Sequence, residues 1–124
     1  MPDFQWAVYE ANLDPVAGAE QKGMRPVLIV SNEEFNQAMP NVSVLPLTST
    51  KRRLYPSELP LPAGKAGQPS ESIVMAHQIR TISKQRLGRL LGHIDDTQLQ
   101  YEIHRAIKEH LDMDKIRPAG PLCK

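Results

Sequence analysis

The sequence predicts a mainly β domain: a small, strongly bent sheet or partly open barrel, with one C-terminal helix covering an end. Three observations carry this. Eleven prolines and seven glycines in 124 residues favour short strands and turns over long helices. The apolar runs between them are short and rich in β-branched residues. Only one segment, residues 95–111, repeats its apolar residues at helical spacing over several turns. A hydrophobic content of 40% is enough for one core, and the length suits one domain, placed here at residues 1–113 with a flexible tail over 114–124.

Taken in order, residues 8–13 alternate as a strand and stop at the Asp14-Pro15 turn signal. Residues 15–23 form a loop. Residues 25–31 are β-rich and uninterrupted, as a strand buried on both faces should be, and Pro26 is tolerated only near its start or on an edge. Residues 32–37 make a helical turn capped by Ser31 or Asn32. Residues 42–48 are a strand whose Pro46 demands an edge or a bulge. Residues 56–69 carry four prolines and two glycines and read as an extended loop with one weak strand at 57–61. Residues 72–77 and 79–82 form a strand or a bent pair, 83–86 a helical turn, and 87–94 another strand. Asp95 caps the helix, with Gln98 in the capping-box position. Leu99, Ile103, Ala106, Ile107 and Leu111 then form its apolar stripe.

The net charge is only +1, but it is unevenly distributed. Arg80, Lys84, Arg86 and Arg89 cluster without an acidic neighbour, Lys51, Arg52 and Arg53 form a second group, and Lys22 with Arg25 a third. Six acidic residues fall between Asp95 and Asp114. Such a division can present a basic groove to phosphate on a nearly neutral molecule, although each cluster alone also reads as a solvated turn. The single cysteine, Cys123, lies in the tail and reads as an unpaired thiol suited to a reducing cytoplasm. Residues 1–9 lack the pattern of a signal peptide, and the expected location is cytoplasmic.

Several chemistries are disfavoured. There is no G-x-S-x-G nucleophile elbow and no phosphate-binding glycine fingerprint after a strand. His77, His93, His104 and His110 lack metal-ligand spacing, so no metal and no cofactor is expected. What remains is a set of Arg, Thr, Glu, Gln and His residues at loop–strand junctions. That set suffices where the substrate brings its own nucleophile, as RNA does in its 2′-hydroxyl. Such a reaction needs a proton acceptor, a proton donor and groups that stabilise the phosphorane charge, a task suited to arginine and hydroxyl donors.

The run Asp14-Pro15-Val16-x-Gly18-x-Glu20-Gln21-x-Gly23-x-Arg25-Pro26-Val27-Leu28-Ile29-Val30-Ser31 resembles the signature of the MazF/PemK toxin family. The resemblance continues through Pro46-Leu47-Thr48 and through Gln78-Ile79-Arg80-Thr81-Ile82-Ser83-Lys84-Gln85-Arg86-Leu87, and spans roughly residues 8–113. It implies a small SH3-like barrel of the PemK/CcdB type, acting as a homodimer. It also implies a metal-independent endoribonuclease that cuts single-stranded RNA at short sequences and leaves a 2′,3′-cyclic phosphate and a 5′-hydroxyl. By position Arg25 matches the catalytic arginine and Thr48 the catalytic threonine. The high pKa of arginine favours charge stabilisation for Arg25 over a general-base role. Glu20, Gln21 and Lys22 lie in the loop that closes over RNA in the family, Gln78 and Arg80 match positions near the RNA groove, and Lys84 and Arg86 add phosphate affinity. The implied partners are the RNA and a cognate antitoxin whose acidic, disordered segment competes for the basic groove, with DNA binding together with that antitoxin.

His77 departs from the pattern, because many relatives have an acidic residue before the Gln. A histidine there can contact a base or phosphate, serve as an auxiliary acid–base group, or simply fill a strand end. Two other readings of the chain stand beside the nuclease. Relatives of the same fold poison DNA gyrase without being enzymes, and an SH3-like barrel can be an inert binding module; the Arg25-Pro26 and Thr48 positions argue for RNA cleavage.

Overall fold

The computed structural model describes residues 3–14, 18, 20 and 23–119. Seven strands form one antiparallel sheet: β1 (Ala7–Asn12), β2 (Met24–Ile29), β3 (Asn41–Thr48), β4 (Glu58–Leu61), β5 (Ser72–Met75), β6 (Arg80–Ser83) and β7 (Leu87–His93). The order is β4-β5-β3-β2-β1-β7, with β6 also pairing β3. Between β6 and β7 the path does not close, so the bent sheet is an open version of the expected barrel. A one-and-a-half-turn helix, α1 (Glu33–Ala38), follows β2, and α2 (Thr97–Leu111) ends the fold.

Apolar residues on both faces of the central strands explain the uninterrupted run of β2. Leu28 enters one core with Val8, Leu45, Leu47, Val74, Ile94, Leu99 and Ile103, and this core is the one that α2 covers. Val27 and Ile29 enter a second core with Ala11, Leu13, Val42, Val44 and Ile82. The period-2 alternation of a strand assigns neighbours to opposite faces, so a fully buried strand needs every side chain apolar.

Pro46 sits where a ladder bond is dispensable. The Ser43 carbonyl accepts from Val30 N at 3.0 Å, so odd-numbered residues of β3 bond towards β2 and even-numbered ones towards the β5/β6 edge. Pro46 therefore turns its missing N–H towards that edge. There β3 changes partner, from β6 at Val44↔Arg80 to β5 at Leu47↔Val74, and the 3-10 turn Ala76–Gln78 intervenes. The expected edge or bulge is thus an interruption in the neighbouring strand.

The helix boundaries differ in one respect from expectation. Asp96, not Asp95, is the N-cap of α2, and its carboxylate accepts from Gln98 N (2.9 Å) and Leu99 N (3.3 Å). This places Gln98 one position short of the capping box, and its amide donates to Glu102 instead. The stripe is buried from Leu99 to Ala106, but Leu111 is 51% exposed. A 3-10 turn at Lys65–Gly67 lies in the stretch expected to be plain loop. Cys123, Gln21 and Lys22 lie outside the described residues. Among the described residues no helix is long and apolar enough to cross a membrane.

Candidate active site

Arg25 is the second residue of β2 and Thr48 the last of β3. The register between these strands runs Ile29↔Val44, Leu28↔Leu45, Val27↔Pro46. Carried two residues further, it sets Arg25 across from Thr48. Alternation gives both side chains the face of the second core, since Val27, Ile29 and Val44 occupy it. Pro26 shapes this end of the pair. Its position bonds towards β3, and without an N–H it removes one of the two bonds of the next rung, so the ladder stops before Arg25 and Thr48. On its other side Arg25 pairs with Ala11 of β1. Arg25 is half-buried. Thr48 is 5% exposed, and its hydroxyl donates to Thr50 Oγ1 (3.1 Å) while accepting from Thr50 N (3.2 Å).

Two further arginines converge on the connection between β1 and β2. Arg80, which alternation puts on the same face as Ile82, donates from Nη1 to the Leu13 carbonyl at 3.4 Å. Arg86 donates from Nη1 to the Asn12 carbonyl at 3.1 Å and to the Asp14 carbonyl. The base of the connection is closed by Leu13 N to the Gly23 carbonyl (2.9 Å) and by Gly23 N to Asp14 Oδ1 (3.0 Å). Gly23 holds φ at +76°, a conformation that favours glycine, immediately before β2 delivers Arg25. A guanidinium has five N–H donors, so these backbone bonds leave Arg80 and Arg86 donors for an anion.

Beside them Glu20, His77, Gln78, Ile79 and Arg80 line a cavity of about 300 Å3. That is at the lower end of the volumes that hold small ligands, about 300–1,000 Å3. Glu20, Gln78 and Arg80 were expected from the sequence to meet RNA, while His77 was left open between that, an acid–base role and filling a strand end. Along β3 the sequence of neighbours is Arg80 beside Val44, the turn bearing His77 and Gln78 near Pro46, and Arg25 at the level of Thr48. Four residues of strand span about 13 Å. Lys84 stands apart from the cavity, with its ammonium 4.9 Å from the centre of the Phe4 ring.

One part of the site had no counterpart in the sequence reading. The Glu58 side chain has no exposed surface, yet it is surrounded by donors. Arg52 binds it in a fork, Nη1 to Oε1 at 2.8 Å and Nη2 to Oε2 at 2.9 Å. Tyr55 N donates to Oε1 at 2.8 Å, and His77 Nε2 lies 2.8 Å from Oε2. Burial pushes the carboxyl up, but the Arg52, Tyr55 and His77 bonds outweigh it and hold the pKa down at about 2. Glu58 is therefore a carboxylate at neutral pH, and His77 Nε2 is the donor to it. In turn the Glu58 bond raises the Arg52 pKa above its ordinary value, against the lowering effect of burial. Arg52, expected to belong to a solvated basic cluster, is bound to Glu58 and packs 4.2 Å over the Tyr55 ring. Ser57, buried at φ +64°, makes the bend that turns Glu58 inward. The pairing joins positions six apart across a proline turn, so no periodic rule marks it. The only signal was a lone glutamate in an otherwise apolar strand.

Known proteins resemble this chain over most of its length. Residues 4–111 match the family model described as PemK-like, MazF-like toxin of type II toxin-antitoxin system. Endoribonuclease EndoA of Bacillus subtilis is 38% identical over 93 residues, covering 74% of this chain and 80% of the relative. Endoribonuclease MazF of Staphylococcus saprophyticus is 34% identical over 111 residues, covering 89% and 92%. A solved mycobacterial endoribonuclease in complex with its cognate antitoxin superposes with a TM-score of 0.72 at 28% identity, covering 95% of this chain and all of that one. With the sheet and the terminal helix in place, the chain belongs to the PemK-like, MazF-like toxins of type II toxin–antitoxin systems.

Proposed function

We propose that this chain is the toxin of such a system and a sequence-specific endoribonuclease on single-stranded RNA, acting without a metal or other cofactor in the cytoplasm. The observation that carries the reading is Arg25 opposed to Thr48 on one face, at the end of β2 and β3 where the ladder stops.

The 2′-oxygen attacks the adjacent phosphorus, the bond to the 5′-oxygen breaks, and the products are a 2′,3′-cyclic phosphate and a 5′-hydroxyl. Arg25 stabilises the negative charge that grows on the non-bridging oxygens, a role that needs no change in its protonation. The Thr48 hydroxyl, now bonded to Thr50, rotates to donate to the same phosphate. His77 takes the 2′-hydroxyl proton, and the leaving 5′-oxygen takes one from solvent. Glu20 and Gln78, which line the cavity, and Gln21, by its place in the sequence motif, address the edges of splayed bases, and Lys22, Arg80, Lys84 and Arg86 supply phosphate affinity. The antitoxin complex of the mycobacterial relative supports a cognate antitoxin as partner, with an acidic segment occupying the same basic groove, and the family supports a homodimer.

The test is cleavage of a defined single-stranded RNA by wild type, Arg25→Ala and Thr48→Ala. The reading expects cleavage by wild type and its loss in both variants. Equal cleavage by Arg25→Ala overturns the site.

A further inference from the structure

We propose that Glu58, clamped by Arg52, is the positioning residue for His77: it fixes the ring's orientation and tautomer so that Nδ1 is the nitrogen that takes the 2′-hydroxyl proton. This rests on the ribonuclease reading of the same site.

The geometry supports this in three steps. First, the carboxylate is spent on donors from both sides. Arg52 and Tyr55 N occupy it from the turn that precedes β4, and His77 Nε2 reaches it from the turn after β5. Glu58 pairs with Met75 and Ser57 O accepts from Ala76 N at 3.1 Å, so backbone bonds fix the two turns against each other. Second, an ionised carboxylate accepts and cannot donate, so its histidine partner must carry hydrogen on Nε2. Nδ1 is then the ring nitrogen through which a neutral His77 accepts a proton. Third, the bidentate Arg52 contact prevents the buried carboxylate from being an unpaired charge and keeps it in one place.

The step balances. The 2′-oxygen forms its bond to phosphorus as its proton passes to Nδ1, the bond from phosphorus to the 5′-oxygen breaks, and the 5′-oxygen is protonated from solvent. The imidazolium formed keeps its Nε2 hydrogen on Glu58, whose charge it partners. Other charged or titratable groups facing His77 are His110 of α2, with ring centroids 6.5 Å apart, and Glu20 and Arg80 across the cavity. A carboxylate that merely braced the turn at residues 52–58 needs only Arg52 and Tyr55; the contact to a cavity-lining histidine is what that role leaves unexplained.

The experiment is a double-mutant cycle on RNA cleavage with Glu58→Gln and His77→Gln, under single turnover, with Arg25→Ala as a control of the site. The amide keeps the reach of Glu58 but not its charge. Glu58→Gln is expected to lower the chemical rate about tenfold to a hundredfold, within what a general base contributes, with RNA affinity unchanged. In the His77→Gln background the same change should alter the rate less than twofold. An equal loss in both backgrounds, or none in wild type, overturns the positioning role while leaving the nuclease reading intact. Full cleavage by Arg25→Ala overturns the site reading and this inference with it. Nitrogen-15 NMR of the wild-type His77 ring gives an answer even if Glu58→Gln does not fold. A neutral ring protonated on Nε2 supports the proposal, and one protonated on Nδ1 overturns it.

Discussion

Two carboxylates in this molecule have their pKa held down at about 2, and they do it with different partners. Glu33, at the start of α1, accepts from Phe4 N (3.1 Å), Gln5 N (2.8 Å) and the Asn36 and Gln37 amides. Burial again pushes the group up, and the Gln37, Gln5, Phe4 and Asn36 bonds outweigh it. Every one of those partners is neutral and none titrates. Glu58 instead binds an arginine fork, one backbone N–H and a histidine that lines a cavity. The first arrangement fastens the N-terminal segment to the helix that follows β2. The second joins a buried charge to a group that can exchange protons. Similar depression of a pKa thus marks a fastening in one place and a candidate working group in the other, and the difference lies in who shares the carboxylate.

This contrast assigns activity to the Glu58 end and stability alone to the Glu33 end. The largest expected effect is on cleavage. Arg25→Ala should slow it about a hundredfold or more, the scale for removing a charge-stabilising donor, whereas Glu33→Ala should cleave at the wild-type rate per folded molecule. A cleavage defect in Glu33→Ala that outlasts correction for unfolded protein would break the division.

In stability the order changes. Glu58→Ala leaves Arg52 without its partner and also strips Tyr55 N and His77 of their acceptor, so it should cost more stability than Glu33→Ala. Glu33→Ala removes bonds to two backbone N–H groups at a half-buried site and should cost about 1–2 kcal/mol. Urea unfolding of the two variants measures both, and a larger loss at Glu33 would reverse the ranking.

Acid should expose both groups together. Each has a folded pKa of about 2 against an ordinary 4.5, so each contributes stability that is complete above about 4.5 and is lost as pH falls towards 2. Thermal melts between these limits should show stability falling with pH, and the double variant Glu33→Gln with Glu58→Gln should show a shallower fall. An unchanged slope would contradict the assignment of these carboxylates.

Much of the fold was legible in the sequence. The places of the strands, one of the two caps offered for α1 and the buried part of the α2 stripe follow local rules of alternation, capping and helical period, while the break between β5 and β6 was left open. The Asp96 cap was missed by one position because Asp95 and Asp96 satisfy the same rule, and side-chain geometry decides between them. Of the site, Glu20, Gln78 and Arg80 were found through their motif, and the structure gathers them with His77 around one cavity. Opposition of Arg25 and Thr48 follows only once the strand register is known, since 23 residues separate them. The Glu58 network was invisible for a stronger reason. It depends on a positive φ at Ser57 and on β4 lying beside β5, and neither leaves a pattern in the residues themselves.

The central claim is that this chain cuts RNA through the 2′-hydroxyl with its own side chains. The most direct measurement incubates the purified protein with single-stranded RNA in excess EDTA and maps the chemistry of the new ends. The account predicts cleavage at a short recurring sequence with 2′,3′-cyclic phosphate and 5′-hydroxyl termini. An RNA left intact, or 5′-phosphate ends, would contradict it.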